Sequence, residues 1–222
     1  SLSFAFLSLA LLPFSAQADW TQFRGPNGQG VSDQSVPQSW SADEGITWKL
    51  DLPGKGSSSP IVVGDAMFVT SYTGTGDTME RQLLRVDLNS GEVIWTQSIP
   101  LDYPEDPAQG YINEHGWASN TPVTDGKAVY GYFGKAGVYA YDLDGKKLWN
   151  VRTGGQSSQK RWGSASSPIL YGDTLIVPAG EEMNALIALR TSDGSELWKA
   201  EGSVLAQTYG SPILVPVDES RT

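Results

Sequence analysis

The side chains best suited to binding a ligand are concentrated in one stretch of the sequence, residues 100–120. The stretch combines carboxylates, aromatic rings and the single histidine of the chain: Asp102, Tyr103, Glu105, Asp106, Tyr111, Asn113, Glu114, His115 and Trp117. Calcium prefers oxygen ligands of this kind, but their spacing matches no EF-hand loop. Long loops on a rigid scaffold often bind ligands or partners, so Glu114, His115 and Trp117 are candidate contacts. The alternative is that His115 and Trp117 only pack at the start of a strand.

A second candidate site is the run Lys160-Arg161-Trp162. Two cations beside an indole could contact an anionic or aromatic ligand. Trp117 has a similar setting, however, because each indole precedes a Ser/Thr-Pro pair by a few residues, at Pro122 and at Pro168. This recurrence favours a packing role for both. No set of nucleophile, base and orienting group is recognisable, so the sequence indicates no catalytic residue.

The elements that position these side chains follow a repeat. Trp48, Trp95, Trp149 and Trp198 are separated by 47, 54 and 49 residues. A period of this length is typical of repeat architectures. A glycine stands four residues before each of the last three, at Gly91, Gly145 and Gly194. Glycine in an Asp-Gly or Ser-Gly pair supplies the positive φ of a tight hairpin turn, so each tryptophan is predicted to lie on a strand that follows such a turn.

Each period also contains a Ser/Thr-Pro phrase that begins a short β-branched run, at Pro60, Pro122 and Pro168, with a fourth copy at Pro212. Two further runs lie between this phrase and the tryptophan hairpin, which gives four short strands per period. Four-stranded antiparallel units of this length are blades of a β-propeller. The recurring indole is large and needs a partner for its N–H, so it suits a site between blades. Blade-docking roles are therefore predicted for Trp48, Trp95, Trp149, Trp198, Gly91, Gly145 and Gly194. The alternative is a set of unrelated core tryptophans in a β-sandwich.

The phrase Ser59-Pro60-Ile61-Val62-Val63-Gly64-Asp65, followed by Gly-x-x-x-Trp, resembles the PQQ-like β-propeller repeat. That repeat family includes quinoprotein dehydrogenases and BamB-like envelope proteins. The opening Trp20-Thr21-Gln22-Phe23-Arg24-Gly25-Pro26-Asn27-Gly28 also resembles the start of many secreted bacterial members. The resemblance covers about residues 20–215.

Three functions are considered: the resemblance implies the first two, and aromatic residues on an acidic surface suggest the third. The first, which we favour, is a non-enzymatic exported scaffold that binds a protein or a cell-envelope component. The second is a dehydrogenase that uses PQQ and calcium, for which Arg161 and Trp162 are the candidate cofactor-binding residues. The third is a carbohydrate-binding propeller. In the favoured case no cofactor is expected.

The repeat and the N-terminal composition predict three regions. Residues 1–18 are predicted to be a signal peptide whose start is missing, since an apolar stretch precedes Ala16-Gln17-Ala18. Residues 19–45 are an N-terminal extension, and 46–222 are a partial propeller. An outer strand is predicted at 46–52, ending a blade that the chain did not begin. Three to four blades are therefore expected, as an incomplete arc of a propeller of seven or eight blades.

The amino-acid composition restricts the possible partners and types of site. The net charge is −10 and the isoelectric point is about 4.5, which argues against a nucleic-acid partner because phosphate binding needs a basic surface. The chain has no cysteine. It therefore has no disulfide, no thiolate metal ligand and no site for a lipid-modified cysteine. The vicinal disulfide of many quinoprotein alcohol dehydrogenases is thus excluded for these residues, and a periplasmic or extracellular location without a membrane span after leader cleavage is expected.

Overall fold

The computed structural model describes residues 19–107 and 109–215. The predicted signal peptide, residues 1–18, lies outside these ranges. Twelve strands form three antiparallel sheets of four within the described residues. The first blade contains β1 (Ile61–Val63), β2 (Ala66–Thr73), β3 (Glu80–Asp87) and β4 (Val93–Ile99). The second contains β5 (Val123–Thr124), β6 (Ala128–Tyr132), β7 (Val138–Asp142) and β8 (Lys147–Val151). The third contains β9 (Ile169–Tyr171), β10 (Thr174–Ala179), β11 (Ala185–Arg190) and β12 (Glu196–Glu201).

Each sheet is a simple meander in which neighbouring strands pair in sequence order. The predicted all-β fold of four-stranded antiparallel blades is confirmed. Short helical segments connect strands: α1 (Ile112–His115), α2 (Gly180–Met183) and 3₁₀ turns that include Gly76–Thr78. No helix within 19–107 or 109–215 is long and apolar enough to cross a membrane.

The hydrophobic core lies between blades. One cluster joins residues of the first blade, such as Phe68 and Leu83, to Val129 of β6. A second cluster joins Tyr130, the next residue of β6, to Leu175 in the third blade. Successive residues of a strand point to opposite faces of its sheet, so the second blade is buried on both sides. The blades thus bury their faces against one another, as stacked repeats require.

Three tryptophans make the same contact across successive blades. The indole N–H of Trp48 donates to Leu88 O at 2.7 Å, that of Trp95 to Leu143 O at 3.0 Å, and that of Trp149 to Thr191 O at 2.8 Å. Each ring also lies against a turn glycine of the blade that it contacts: Gly91, Gly145 and Gly194. At Gly194, φ is +74° and a Cβ would lie 2.7 Å from Trp149 Cε3, so this turn needs glycine both for its backbone and for the indole. Trp198 is 43% exposed.

The strand that carries each of the last three tryptophans pairs irregularly with its neighbour. The register of β3–β4, β7–β8 and β11–β12 shifts by one residue next to the tryptophan's partner: Arg85, Ala140 and Ala188. A bulge bends a strand and re-aims its side chains. Because the bulge recurs at the same place in each blade, it orients the three indoles in the same way.

Two strand predictions are wrong within the described residues. Residues 46–52 form no strand, although an outer strand is predicted there. Trp48 instead sits on the first blade through its N–H and its ring, without a ladder of backbone hydrogen bonds. The fourth Ser-Pro copy, residues 211–214, also has no strand assignment. Both segments have the sequence pattern of a strand, but a strand also requires a neighbouring strand to pair with.

The first described residues cross the inner strands of the blades. Trp20 pairs with Val62 of β1 through two backbone hydrogen bonds of 2.8 and 2.9 Å. Thr124 of β5 donates its N–H to Thr21 O at 2.9 Å. Residues 22–29 then line a groove of about 560 Å³ with Ile169 of β9 and residues 209–214. We call residues 19–30 the inner strap; it binds the first strands of the first and second blades, and the groove lies between it and the third.

Candidate functional site

The two candidate sites of the sequence meet at the edge of the blades where the 100–120 stretch, here called the insertion, leaves β4. The insertion is fixed by two ion pairs with largely buried side chains. Arg81 of β3 lies 2.6 Å from Glu105, and Lys135, beyond β6, lies 3.0 Å from Asp106. Arg81 also donates its Nε–H to Trp117 O at 3.0 Å. The insertion is therefore held by the first and the second blade together.

These ion pairs bear on the calcium hypothesis. The carboxylates of Glu105 and Asp106 are already neutralised by cations, and Ser157 Oγ adds a hydrogen bond of 2.7 Å to Asp106. No group of three or more metal-ligating side chains occurs in the described parts of the chain. Glu105 and Asp106 therefore anchor the insertion to the blades.

His115 connects the two candidate sites. Its Nε2 lies 2.8 Å from Trp162 O, and its Nδ1 lies 2.7 Å from Ser119 Oγ. A carbonyl oxygen only accepts hydrogen bonds, so Nε2 carries a proton in this arrangement. The single histidine thus links α1 to the loop before β9, which is a structural contact and leaves its ring without a free nitrogen. Glu114, the other polar candidate in α1, is exposed.

Trp162 is surrounded by other side chains. The ring centroid of Tyr111 lies 4.5 Å away in an edge-on arrangement, and that of Tyr209 lies 5.3 Å away. Lys160 Nζ lies 4.2 Å from the centre of the Trp162 ring. Arg161 has a left-handed backbone, with φ of +50°, and its exposed guanidinium lies 3.9 Å from Asp106. Trp117 contacts Tyr72 edge-on, with 5.3 Å between the ring centroids.

The surroundings of Trp162 do not fit a tricyclic quinone such as PQQ stacked on this indole. A floor for the quinone needs a free indole face, whereas Trp162 is packed by Tyr111, Tyr209 and Lys160. The cavity beneath the insertion has a volume of only about 20 Å³, which suits about one water molecule. The region is a packed junction between loops, and its ion pairs anchor the insertion.

A buried acidic pair lies at the same junction and was missed by sequence reasoning. Glu181 and Glu182 are the two central residues of α2 and are almost completely buried. Glu181 accepts hydrogen bonds from Ser158 and from Tyr209, and Glu182 accepts one from Tyr132. The available signal was the position of two adjacent glutamates inside an otherwise apolar stretch, 175–189. Burial raises the pKa of Glu182 to about 7, and the nearby charges of Glu181 and Glu105 act in the same direction, while the Tyr132 hydrogen bond opposes the shift.

Glu182 makes stability depend on pH in a defined direction. Its folded pKa of about 7 lies above the ordinary value of 4.5, so between these values the folded protein binds more protons than the unfolded chain. The contribution of Glu182 to stability is therefore fully present below about pH 4.5 and is lost as the pH rises through about 7. The glutamine in Glu182→Gln still accepts a hydrogen bond from Tyr132 but does not ionise. As the pH rises from 4.5 to 7.5, we expect the free energy of unfolding of this variant to increase relative to that of the wild type by about 3 kcal/mol.

Denaturant unfolding at a series of pH values measures this difference. Glu196→Gln on the exposed strand β12 is the matched control and should follow the wild-type pH profile. A difference between Glu182→Gln and wild type that stays constant with pH would contradict the assignment.

Comparison with known proteins identifies similar chains. A family described as outer membrane protein assembly factor BamB matches residues 78–214. The outer membrane protein assembly factor BamB of Burkholderia pseudomallei (strain K96243) is 26% identical over 163 residues, which is 73% of this chain and 33% of that protein.

Two solved structures show the same fold. Quinohemoprotein alcohol dehydrogenase from Comamonas testosteroni is 17% identical, with a TM-score of 0.55 over 94% of this chain and 29% of its own. BamB from Moraxella catarrhalis is 18% identical, with a TM-score of 0.51 over 77% of this chain and 46% of its own. This chain therefore spans a third to a half of the BamB proteins that it matches.

Proposed function

We propose that this chain, which belongs to the family described as outer membrane protein assembly factor BamB, is part of a non-enzymatic, exported β-propeller scaffold that binds a protein or another component of the cell envelope. The dehydrogenase function is the alternative. We prefer the scaffold to the dehydrogenase because of the packing around Trp162. Tyr111, Tyr209 and Lys160 occupy the space that a quinone stacked on this indole would need.

The inner strap supports the same proposal. Trp20 and Thr21 bind the first strands of two blades. The edges of these two strands are thus covered by the chain itself, and we assign partner binding to the loops and to the insertion, which the buried pairs Arg81–Glu105 and Lys135–Asp106 hold in a fixed position. A rigid loop binds a partner with a smaller loss of conformational entropy.

Site-specific photo-cross-linking tests the scaffold role in the full-length protein in its native envelope. A photoreactive amino acid at Tyr111, which is 54% exposed on the insertion, is expected to give a discrete cross-linked product. Tyr171 in the third blade is 50% exposed and is the matched control, where no such product is expected. Equal labelling at both positions would contradict a role for the insertion.

Reconstitution tests the alternative. The full-length protein incubated with PQQ and calcium is expected to show neither saturable quinone absorbance nor dye-linked oxidation of alcohols. Appearance of both would overturn the scaffold proposal in favour of a dehydrogenase.

A further inference from the structure

The first strand of each blade has one residue whose backbone N–H and C=O point away from its sheet. In the third blade this residue is Leu170, because Tyr171 pairs with Thr174 beside a two-residue turn between β9 and β10. The residues that flank such a turn exchange backbone hydrogen bonds, and the next pair along the strands does not. Val62 and Thr124 are the equivalent residues of the first two blades, since each also stands two positions after the proline of a Ser/Thr-Pro phrase.

The inner strap occupies two of these three strand edges through backbone hydrogen bonds. Trp20 and Val62 exchange hydrogen bonds of 2.8 and 2.9 Å, and Thr21 O accepts one of 2.9 Å from the N–H of Thr124. Addition of an extended segment to the edge of a sheet is a common mode of peptide recognition. The first two blades thus show what the equivalent edge of the third can bind.

The edge of the third blade is open in the part of the chain that the structure describes. The strap turns back after Thr21, since the N–H of Gly25 donates to Gln22 O at 2.9 Å. No backbone hydrogen bond from outside the sheet of β9 reaches Leu170 within residues 19–107 and 109–215. Leu170 is also partly exposed, so its N–H and C=O are available to a further strand.

The groove beneath the strap begins at this edge. It has a volume of about 560 Å³ and meets β9 at Ile169, whose peptide bond to Leu170 carries the N–H in question. Residues 22–29 form the facing wall, and Gly28 lies so close to Ile213 that a Cβ added to it would be 3.8 Å from Ile213 Cγ2. The volume is in the range of clefts that bind a ligand. An extended segment beside Leu170 would therefore enter a groove that already exists.

The lining of the groove indicates which side chains such a segment carries. Ile213 and Leu214 are 64% and 39% exposed and offer an apolar surface. Arg24 is the one charged residue among the described residues of the lining, in a chain whose net charge is −10. It forms no ion pair with a carboxylate of the described residues. The complementary segment is apolar and ends in, or carries, a carboxylate.

From these observations we infer that the open edge of β9 at Leu170 and the adjoining groove bind an extended segment of a partner protein by strand addition. Its apolar side chains lie on residues 213–214 and its carboxylate lies at Arg24. This site is separate from the insertion, so the inference goes beyond the proposed function and does not depend on it. Neither cross-linking at Tyr111 nor reconstitution with PQQ decides it.

Fluorescence anisotropy with the full-length protein tests the inference. The probe is a fluorescein-labelled peptide of alternating valine and threonine that ends in aspartate. The same peptide with its central amides N-methylated cannot donate to a strand edge, and we expect it to bind the wild-type protein about tenfold more weakly or not at all. This comparison requires no variant of the protein. Equal affinity of the two peptides, or no saturable binding of the unmethylated one, would overturn the inference.

Leu170→Pro tests the same contact from the side of the protein. Proline removes the N–H that points to the open edge and leaves the hydrogen bonds between β9 and β10, which come from Ile169 and Tyr171. We expect it to weaken binding of the unmethylated peptide about tenfold. Leu170→Val keeps the N–H, is close to proline in size and is the matched control, for which wild-type affinity is expected. Equal weakening by both variants, with wild-type circular dichroism spectra, would contradict strand addition.

Arg24→Gln tests the carboxylate contact and is expected to weaken binding about threefold. Lys147→Gln on the exposed strand β8 changes the net charge equally outside the lining and should leave the affinity unchanged. A peptide with lysine in place of aspartate should bind less tightly to the wild type and lose nothing further in Arg24→Gln. Equal weakening by Arg24→Gln and Lys147→Gln would show that Arg24 does not contact the peptide.

Two other occupants have distinct signatures, and either would overturn the inference. Concentration-dependent self-association that is lost in Leu170→Pro would assign the edge to a second copy of the chain. Displacement of the peptide by a cello-oligosaccharide at a similar concentration would assign the groove to a carbohydrate.

Discussion

Trp149→Ala is expected to lower the free energy of unfolding by about 3–5 kcal/mol. Trp149 is 9% exposed and packs in the cluster between the second and third blades. The substitution removes a large apolar surface and leaves a cavity, and it leaves Thr191 O without its indole donor. The loss would be a large part of the 5–15 kcal/mol that a typical domain has. Denaturant unfolding followed by circular dichroism measures it.

Trp40→Ala provides the control for this experiment, since Trp40 is 69% exposed in the linker and should change stability by less than about 0.5 kcal/mol. Gly194→Ala tests the contact from the other side, because the new methyl group would clash with Trp149. The two substitutions are expected to be non-additive, as for residues in direct contact. A Trp149→Ala variant that unfolds at the wild-type denaturant concentration would show that this indole does not dock the blades.

Arg81→Met is expected to cost about 3–5 kcal/mol, because it leaves Glu105 buried without its cation. The substitution also removes the donor to Trp117 O, so the insertion loses two of its attachments to the first blade. Limited proteolysis is expected to cut the variant within residues 100–107 faster than the wild type. Denaturant unfolding gives the loss of stability.

Arg85→Met is the matched control on the same strand. Arg85 faces Asp65 and Asp144 at 3.6 Å, and both carboxylates are largely exposed, so these ion pairs contribute about 1 kcal/mol or less. Arg85 also donates to Leu143 O at 3.0 Å, and loss of that hydrogen bond adds about 1 kcal/mol. The total is expected to stay below the loss in Arg81→Met. Adding Glu105→Gln to Arg81→Met should restore part of the stability, since the buried charge is removed. If Arg81→Met and Arg85→Met destabilise equally, the pair Arg81–Glu105 does not anchor the insertion.

The sequence was sufficient to predict the three quartets of strands, because their signals are local. Gly145 and Trp149, for example, belong to one hairpin and lie four residues apart. The strand predicted at 46–52 is absent for a physical reason. An alternating apolar pattern shows that a segment could be a strand, but a strand forms only beside a neighbouring strand, which the pattern does not identify. Trp48 nevertheless contacts Gly91 in the way that Trp149 contacts Gly194.

The junction at the insertion was less predictable. The partners of Arg81 and Lys135 are distant in sequence, and no periodicity relates a cation on one strand to a carboxylate on a later loop. Glu182 was missed for a similar reason, because burial of a carboxyl group depends on the packing of three segments around it. His115 and Trp162 were each selected from the sequence as candidates, but their contact became visible only in three dimensions.

The inner strap sets an order of assembly. A ribosome synthesises residues 19–30 before the strands that they bind, and Thr21 can meet its partner Thr124 only after the first blade and β5 have been made. Contacts so far apart in sequence form slowly. We therefore expect the strap to wait for its partners during synthesis, so that the edges of β1 and β5 that it pairs with are uncovered in the first stage of folding.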